Sequence, residues 1–395
     1  MIYITYFITV FLSSFLIKNR TQSLVFVLFL TLSVLIFSFP GGNDWIGYFQ
    51  NYDCIVNDKC YSGLLVFEPG YEFIVSVIGK LGFQFIIIFI AFLNVFYLYK
   101  FSSGFNNKAL IIFFIMSMLF WTLYTEAIRQ SLAFSIILFG MRDLLNGKYI
   151  KFTFLIIFSS LFHVTSLVCL LLVLPFFSIK LSRFVSYGLL VLGVFFIVMP
   201  LGLLEYAVSL FSNNSMIGMK LNFYLSSEEY QPQLSIGFGT ILDVLLIFLI
   251  FISFYRINKN TLYKSEKFHY VVFMGVSIYI SFGLLMGKMM PVLTRIGWYG
   301  IPLVIILIYT LIGNSIYYDR YKPKNTKIYI SSILVLMYFI LQILRPFTYD
   351  HSRYNIMHQQ TIIQKIDSMD DLSMRIEAKK KCAILSQLGY GYLCD

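Results

Sequence analysis

The chain has 395 residues, of which 59% are hydrophobic and only 12% charged, and its formal net charge is +11. Soluble domains carry about a quarter charged residues, so a chain this apolar is expected to be an integral membrane protein that crosses the bilayer several times. The positive charge does not point to nucleic acid as a partner. Most Lys and Arg sit in short segments between apolar runs, as in Arg256, Lys259, Lys264 and Lys267, or Arg320, Lys322, Lys324 and Lys327, where the positive-inside rule places them.

A span takes about 20 mostly apolar residues. The first run, 2–17, has no basic leader and no small-residue cleavage site behind it, so it reads as a retained span and not a signal peptide. The second is 23–39. Lys18 and Arg20 between them put that loop in the cytoplasm and the N-terminus outside. The outer loop that follows, 43–69, holds Asp44, Asp53, Asp58 and Glu68. Lys100 and Lys108 belong inside, so one span, 83–99, must lie between, and segment 69–81 cannot also cross. Its polar stripe of Glu72, Ser76, Gly79 and Lys80 marks a short amphipathic helix in the interface, with Pro69 at its first turn.

Spans 109–125 and 128–145 follow and bring Arg142, Lys148 and Lys151 inside. Lys180 and Arg183 belong inside as well, so 149–177 must enter and return. Its middle reads Ser159, Ser160, His163, Thr165, Ser166. A polar break there predicts a re-entrant hairpin or a broken helix, which is tolerated only against protein or a water-filled cavity. Spans 184–204, 236–255, 268–286, 296–312 and 328–344 bring the count to ten. The expected layout is an all-α transmembrane catalytic domain over 1–345, with outer loops 40–82 and 205–233, and an outer C-terminal tail over 346–395. Cys54 and Cys60 share the first outer loop, and Cys382 and Cys394 share the tail. Two local disulfides on the outer side fit an oxidising periplasm, with Cys169 left alone in the membrane.

Ionisable residues in or beside spans are candidates for function. Asp44 stands at the rim of the first outer loop, where it would cap the helix from Trp45 or hold a sugar hydroxyl and take its proton. Glu126 and Arg129 are three apart at the outer end of a span, as a structural pair on one helix face or as part of an anion clamp. An Arg fork suits phosphate. His163 sits at the polar break, as a hydrogen-bonding residue or an acid/base group. Lys288 and Arg295 stand outside against the positive-inside bias, which an anionic substrate would explain. Lys220 and Tyr224 lie in the large outer loop and could meet a sugar. No metal-ligand spacing, P-loop, dinucleotide fingerprint or GxSxG elbow occurs, so no metal, cofactor or nucleotide is expected.

Five short motifs in order complete the reading. They are Gly42-Asn43-Asp44-Trp45-Ile46-Gly47-Tyr48, Glu68-Pro69, Ile128-Arg129-Gln130, Phe162-His163-Val164-Thr165-Ser166, and the late Arg295. On them the chain resembles the EpsG/Wzy group of bacterial polysaccharide polymerases over about residues 39–298. Asn43 departs from the Thr-like residue expected there. The resemblance implies a metal-independent glycosyltransferase with a GT-C-like multi-span fold in the bacterial inner membrane. It would join undecaprenyl-pyrophosphate-linked repeat units, as in O-antigen, on the periplasmic face. Donor and acceptor glycans would be its partners, with a chain-length regulator as a further one. Arg129 and Arg295 would then neutralise the donor pyrophosphate, Asp44 or His163 would serve the acceptor hydroxyl, and Tyr48, Glu68, Glu126, Gln130, Lys220, Tyr224 and Lys288 would contact substrate. A flippase for lipid-linked oligosaccharides, an O-antigen ligase and a sugar acyltransferase are the rival readings.

Overall fold

The computed structural model describes residues 2–17, 19–37, 44–60, 67–198, 238–260, 266–311, 332–357 and 371–387. Every regular element among them is helical. Five helices are long and apolar enough to cross a membrane: Phe83–Ser102, Lys108–Glu126, Ile179–Ile197, Glu266–Met286 and Val292–Thr310. Four further expected spans fall on shorter apolar helices, Ile2–Leu16, Arg20–Ile36, Phe238–Ile250 and Leu334–Thr348. The tenth, Ile128–Leu145, is helical over its whole expected length and carries Arg129, Arg142 and Asp143. Large apolar side chains lie on the outside of these helices, among them Ile8, Phe15, Phe29, Phe92, Phe184 and Phe248. Such a surface would be costly in water and is at no disadvantage in lipid.

The chain forms two compact units, Met1–Leu167 with Ile312–Asp395, and Val168–Leu311. The first opens with α1 (Ile2–Leu16), α2 (Arg20–Phe37), α3 (Trp45–Asn57), α4 (Pro69–Ile78), α5 (Phe83–Ser102) and α6 (Lys108–Leu119). α6 starts where the Asn107 side chain accepts the Leu110 N–H at 3.1 Å, satisfying an orphan donor of the first turn. It is apolar on every side and buried on almost every side, as expected of a central helix. α1, α2, α5 and the later helix Ser332–Leu344 surround it. Tyr3 donates to the Ile343 carbonyl at 3.0 Å, and Phe114 stacks on Phe339 at 4.1 Å.

Beyond α6 the helix widens into a π-helical stretch, Phe120–Glu126, and breaks at Ala127 (φ −95°, ψ 62°). α7 (Ile128–Leu145) then restarts with Arg129 in its first turn. Glu126 and Arg129 therefore do not share one continuous helix face, as their spacing had suggested. Spacing rules assume an unbroken 3.6-residue period, and the π-helical turn and the break remove it. α8 (Tyr149–Ser160) ends in a turn at Leu161 and Phe162, and a 3₁₀ helix, Val164–Val173, follows His163. The expected break is thus at the expected place, and the boundary between the two units falls within the following 3₁₀ helix.

α4 is the short helix expected after the first loop. Pro69 opens it, and Glu68 before it is extended (φ −69°, ψ 144°). Tyr71, Ile74 and Val75 face inward, whereas Phe73 and Val77 are exposed. The exposed apolar pair suits a helix lying against lipid headgroups.

The second unit contains α9 (Ile179–Val198), α10 (Phe238–Asn260) and α11 (Glu266–Ile278). α11 runs into a second π-helical stretch, Tyr279–Met286, followed by α12 (Pro291–Gly297) and α13 (Ile301–Leu311). α11 packs on α9 and α13, and its π-helical continuation packs on α9 and α12.

Candidate functional site

Arg129 is the centre of the best-defined polar site. Its guanidinium forms an ion pair with Glu68 through Nη1 and Oε2, and both side chains are about five-sixths buried, with 17% and 16% exposed. The two residues come from opposite sides of the first unit's sequence: α7 supplies the Arg and the residue before α4 supplies the Glu. Three aromatic rings wall the guanidinium. Its Cζ lies 3.8 Å from the Phe67 centroid, 5.5 Å from Tyr48 and 6.0 Å from Tyr71. The rings also touch one another, with centroids 5.8 Å apart for Tyr48–Phe67 and Tyr48–Tyr71 and 5.6 Å for Phe67–Tyr71. A guanidinium over aromatic faces is stabilised by the ring quadrupole.

Two donors in this cage have no acceptor among the described residues, the Arg129 Nε–H and the Tyr71 hydroxyl. Tyr48 takes a hydrogen bond from the guanidinium. Burial pushes the Tyr71 phenol far above its ordinary pKa, although Arg129 pulls the other way, so Tyr71 stays an O–H donor. A buried donor without a partner costs about 1–3 kcal/mol. Two of them beside a buried cation give the cage a polarity suited to an anion.

Local tightness fixes the cage. The Gly70 N–H donates to the Leu161 carbonyl at 2.8 Å. A Cβ at Gly70 would stand 2.7 Å from that oxygen, so only glycine allows the approach. The contact brings the turn at His163 against the start of α4, and Phe162 joins the same apolar cluster as Phe67, Tyr71 and Ile128. His163 Nδ1 is 2.6 Å from Thr165 Oγ1. Asp44 is at the start of α3, and its side chain makes no capping bond to that helix. Its carbonyl accepts the Tyr48 N–H at 3.3 Å, so Asp44 is one turn from the Tyr48 wall. Gln130, next to Arg129, is buried.

Lys288 and Arg295 lie in the second unit. Lys288 Nζ is 2.8 Å from Asp243 Oδ2 and 3.4 Å from Thr240 Oγ1. The buried Asp243 of α10 thus supplies the anion whose need had been ascribed to a substrate at Lys288. Arg295 is half-buried on the last turn of α12. Lys220 and Tyr224 lie outside the described residues. Among the described residues no cluster of His, Cys, Asp or Glu could hold a metal ion.

Sequence reasoning missed Phe67, Tyr71, Asp53 and Asp243. Tyr71 had one signal, since it falls three residues after Glu68 on the predicted helix. Asp53 and Asp243 had none beyond being acidic.

Cys54 and Cys60 form the expected disulfide. Cys382 is disulfide-bonded too, and Cys394, its expected partner, lies outside the described residues. Cys169 is free and buried. Thiol labelling without reductant should therefore modify nothing in the native protein and one cysteine after denaturation. Two or more reactive thiols in the denatured, unreduced chain would overturn the pairing.

The EpsG family model matches residues 20–355. No curated protein and no solved structure matches the chain.

Proposed function

The chain belongs to the EpsG family, the family of Wzy-type polysaccharide polymerases, and on that premise we propose that it joins lipid-linked oligosaccharide repeat units, with Arg129 binding the donor pyrophosphate. The observation that carries the reading is the Arg129 cage: a buried cation and two unanswered donors walled by three rings. In such a water-poor setting a cation acts on an anion far more strongly than in bulk water.

In the proposed reaction the acceptor hydroxyl attacks the anomeric carbon of the donor glycan. The bond from that carbon to the pyrophosphate oxygen breaks, and the lipid pyrophosphate leaves with the electron pair. Arg129 offsets the charge that builds there, the kind of preorganised stabilisation that usually dominates such steps. The hydroxyl proton passes to Asp44 or His163. Glu68 holds the guanidinium in plane before substrate arrives, and the anion would meet the free Nε–H edge and the Tyr71 hydroxyl. Arg295 is proposed as a second cation needed for polymer synthesis, and Arg295→Ala should sharply reduce polymer while the protein still inserts. The active face is proposed to be periplasmic, and the Cys54–Cys60 disulfide at the end of α3 supports an oxidising compartment.

Deleting the gene tests the reading. The expected result is single repeat units on the cell surface and no longer ladder, restored by a plasmid copy. Loss of even the single units from the surface would sink the polymerase reading in favour of a flippase. Full-length polymer left on its carrier would favour a ligase.

A further inference from the structure

The helix Asp371–Gln387 lies beyond the segment that the family model matches, yet it belongs to the first unit and packs on the apolar cluster that holds the rings of the Arg129 site. Arg375 makes a two-pronged bond to Asp53 of α3, with Nε at 2.9 Å from Oδ2 and Nη2 at 2.5 Å from Oδ1. Asp53 is fully buried there, and Arg375 is a quarter exposed. Lys381 stands over the Trp45 ring at 5.9 Å. Ala378 and Cys382 pack on the apolar cluster that holds the cage rings. Arg375, Ala378 and Cys382 share one face at i, i+3 and i+7, whereas Ile376, Lys379 and Lys380 are exposed. The helix is docked by a face.

This docking grips α3 at both ends, at Trp45 and at Asp53. Between them Tyr48 projects into the Arg129 cage, and Phe49 and Tyr52 pack on the cluster beneath it. A buried ion pair is a weak source of net stability, because desolvating both charges offsets most of their attraction. A two-pronged Arg–carboxylate bond is instead geometrically specific. Burial works to raise the Asp53 pKa, but its bonds to Arg375 and Asn57 and the charges of Arg375 and Lys59 bring it below the ordinary value. The pair therefore stays ionised over the whole range in which cells grow.

We propose that Arg375 is a positioning residue for the Arg129 site, holding α3 through Asp53 so that Tyr48 stays against the guanidinium. The proposal rests on the reading of Arg129 as the pyrophosphate site. It makes the C-terminal helix a brace for catalysis and not a passive tail.

The test uses membranes containing the full chain and, as substrate, the pyrophosphate-linked repeat unit extracted from the deletion strain. Rates are expressed per mole of inserted protein. Arg375→Gln is expected to raise KM, with kcat/KM falling by up to about a hundredfold, as displacement of a positioned group by about an ångström does, and Arg375→Lys should recover part of the loss. A fall in the active fraction with KM unchanged would mean that Arg375 only stabilises the fold, and would overturn the proposal. A second readout does not depend on activity: the rate at which a membrane-impermeant maleimide reacts with Tyr48→Cys. That rate should rise when Arg375→Gln is added and stay put when Lys380→Ala is added on the exposed side of the same helix. An unchanged rate with Arg375→Gln overturns the brace whatever the polymer does. Normal activity of Arg129→Ala would sink the site reading alone, leaving the maleimide rates to decide on the brace. If Arg375→Gln fails to insert, Asp53→Asn replaces it in both measurements with the same expected directions.

Discussion

Arg129→Ala is expected to leave the protein in the membrane and remove nearly all polymer. Deleting one charge-stabilising donor typically lowers a rate by ~10²–10³. A polymer of many units needs that step many times, so the ladder should collapse to its lowest rungs. The substitution also leaves the Glu68 carboxylate buried without its cation, which can cost about 3–5 kcal/mol when a pair is fully buried. Protein level must therefore be measured beside the polysaccharide. Arg129→Lys separates charge from shape. It keeps the cation but loses the planar guanidinium that meets Glu68 through Nη1 and lays its flat face over Phe67, so clear impairment is expected. Lys380→Ala is the comparison. Lys380 pairs with Glu377 at 3.4 Å in an exposed setting, where an ion pair contributes about 0–1 kcal/mol, and polymer should be unchanged. Full-length chains from normally inserted Arg129→Ala would make Arg129 a structural ion at a helix start.

Gly297→Ala is expected to destabilise the second unit and lower the amount of folded protein. A Cβ at Gly297 would stand 2.4 Å from the Gly283 nitrogen and 2.5 Å from its Cα. Those are backbone atoms of the π-helical stretch Tyr279–Met286, so no side chain can swing aside. The segments must separate, and overpacking of this kind typically costs about 1–3 kcal/mol. Small residues at close helix crossings are a usual device in membranes. The shift would also move Arg295, two residues away on α12, so polymer synthesis per folded molecule should fall as well. Gly188→Ala in α9 is the contrast, since nothing lies within 4 Å of its added Cβ. It should be neutral or gain up to about 1 kcal/mol from helix propensity. A melting temperature of the detergent-solubilised Gly297→Ala protein equal to that of the parent would refute the close crossing.

Much of the helical layout was legible in the sequence. The span 128–145 coincides with α7 in the structure, and the polar break in 149–177 falls at the turn before His163. Pro69 marks the start of α4. These features are written in neighbouring residues: runs of apolar side chains, a cluster of Ser, Thr and His, a ring that fixes φ. The order of the five motifs likewise led to the family that the chain belongs to.

The partners of the charged residues were not legible, and tertiary structure decided them. From sequence, Glu126 was the nearest acid for Arg129, three residues away. The π-helical turn and the break at Ala127 end that helix face, and the observed partner is Glu68, 61 residues distant. Asp53 and Arg375 are 322 residues apart, and Lys288 meets Asp243 across two helices. Hydropathy and periodicity report what each segment does with its own backbone and with lipid or water. They do not report which helices pack together, and only that packing carries a distant carboxylate to a buried cation. The sequence by itself therefore determined the membrane character, the helical class and the family. The aromatic cage, its Glu68 counter-ion and the docking of the C-terminal helix on α3 follow from long-range packing, because each joins groups with no local pattern to relate them.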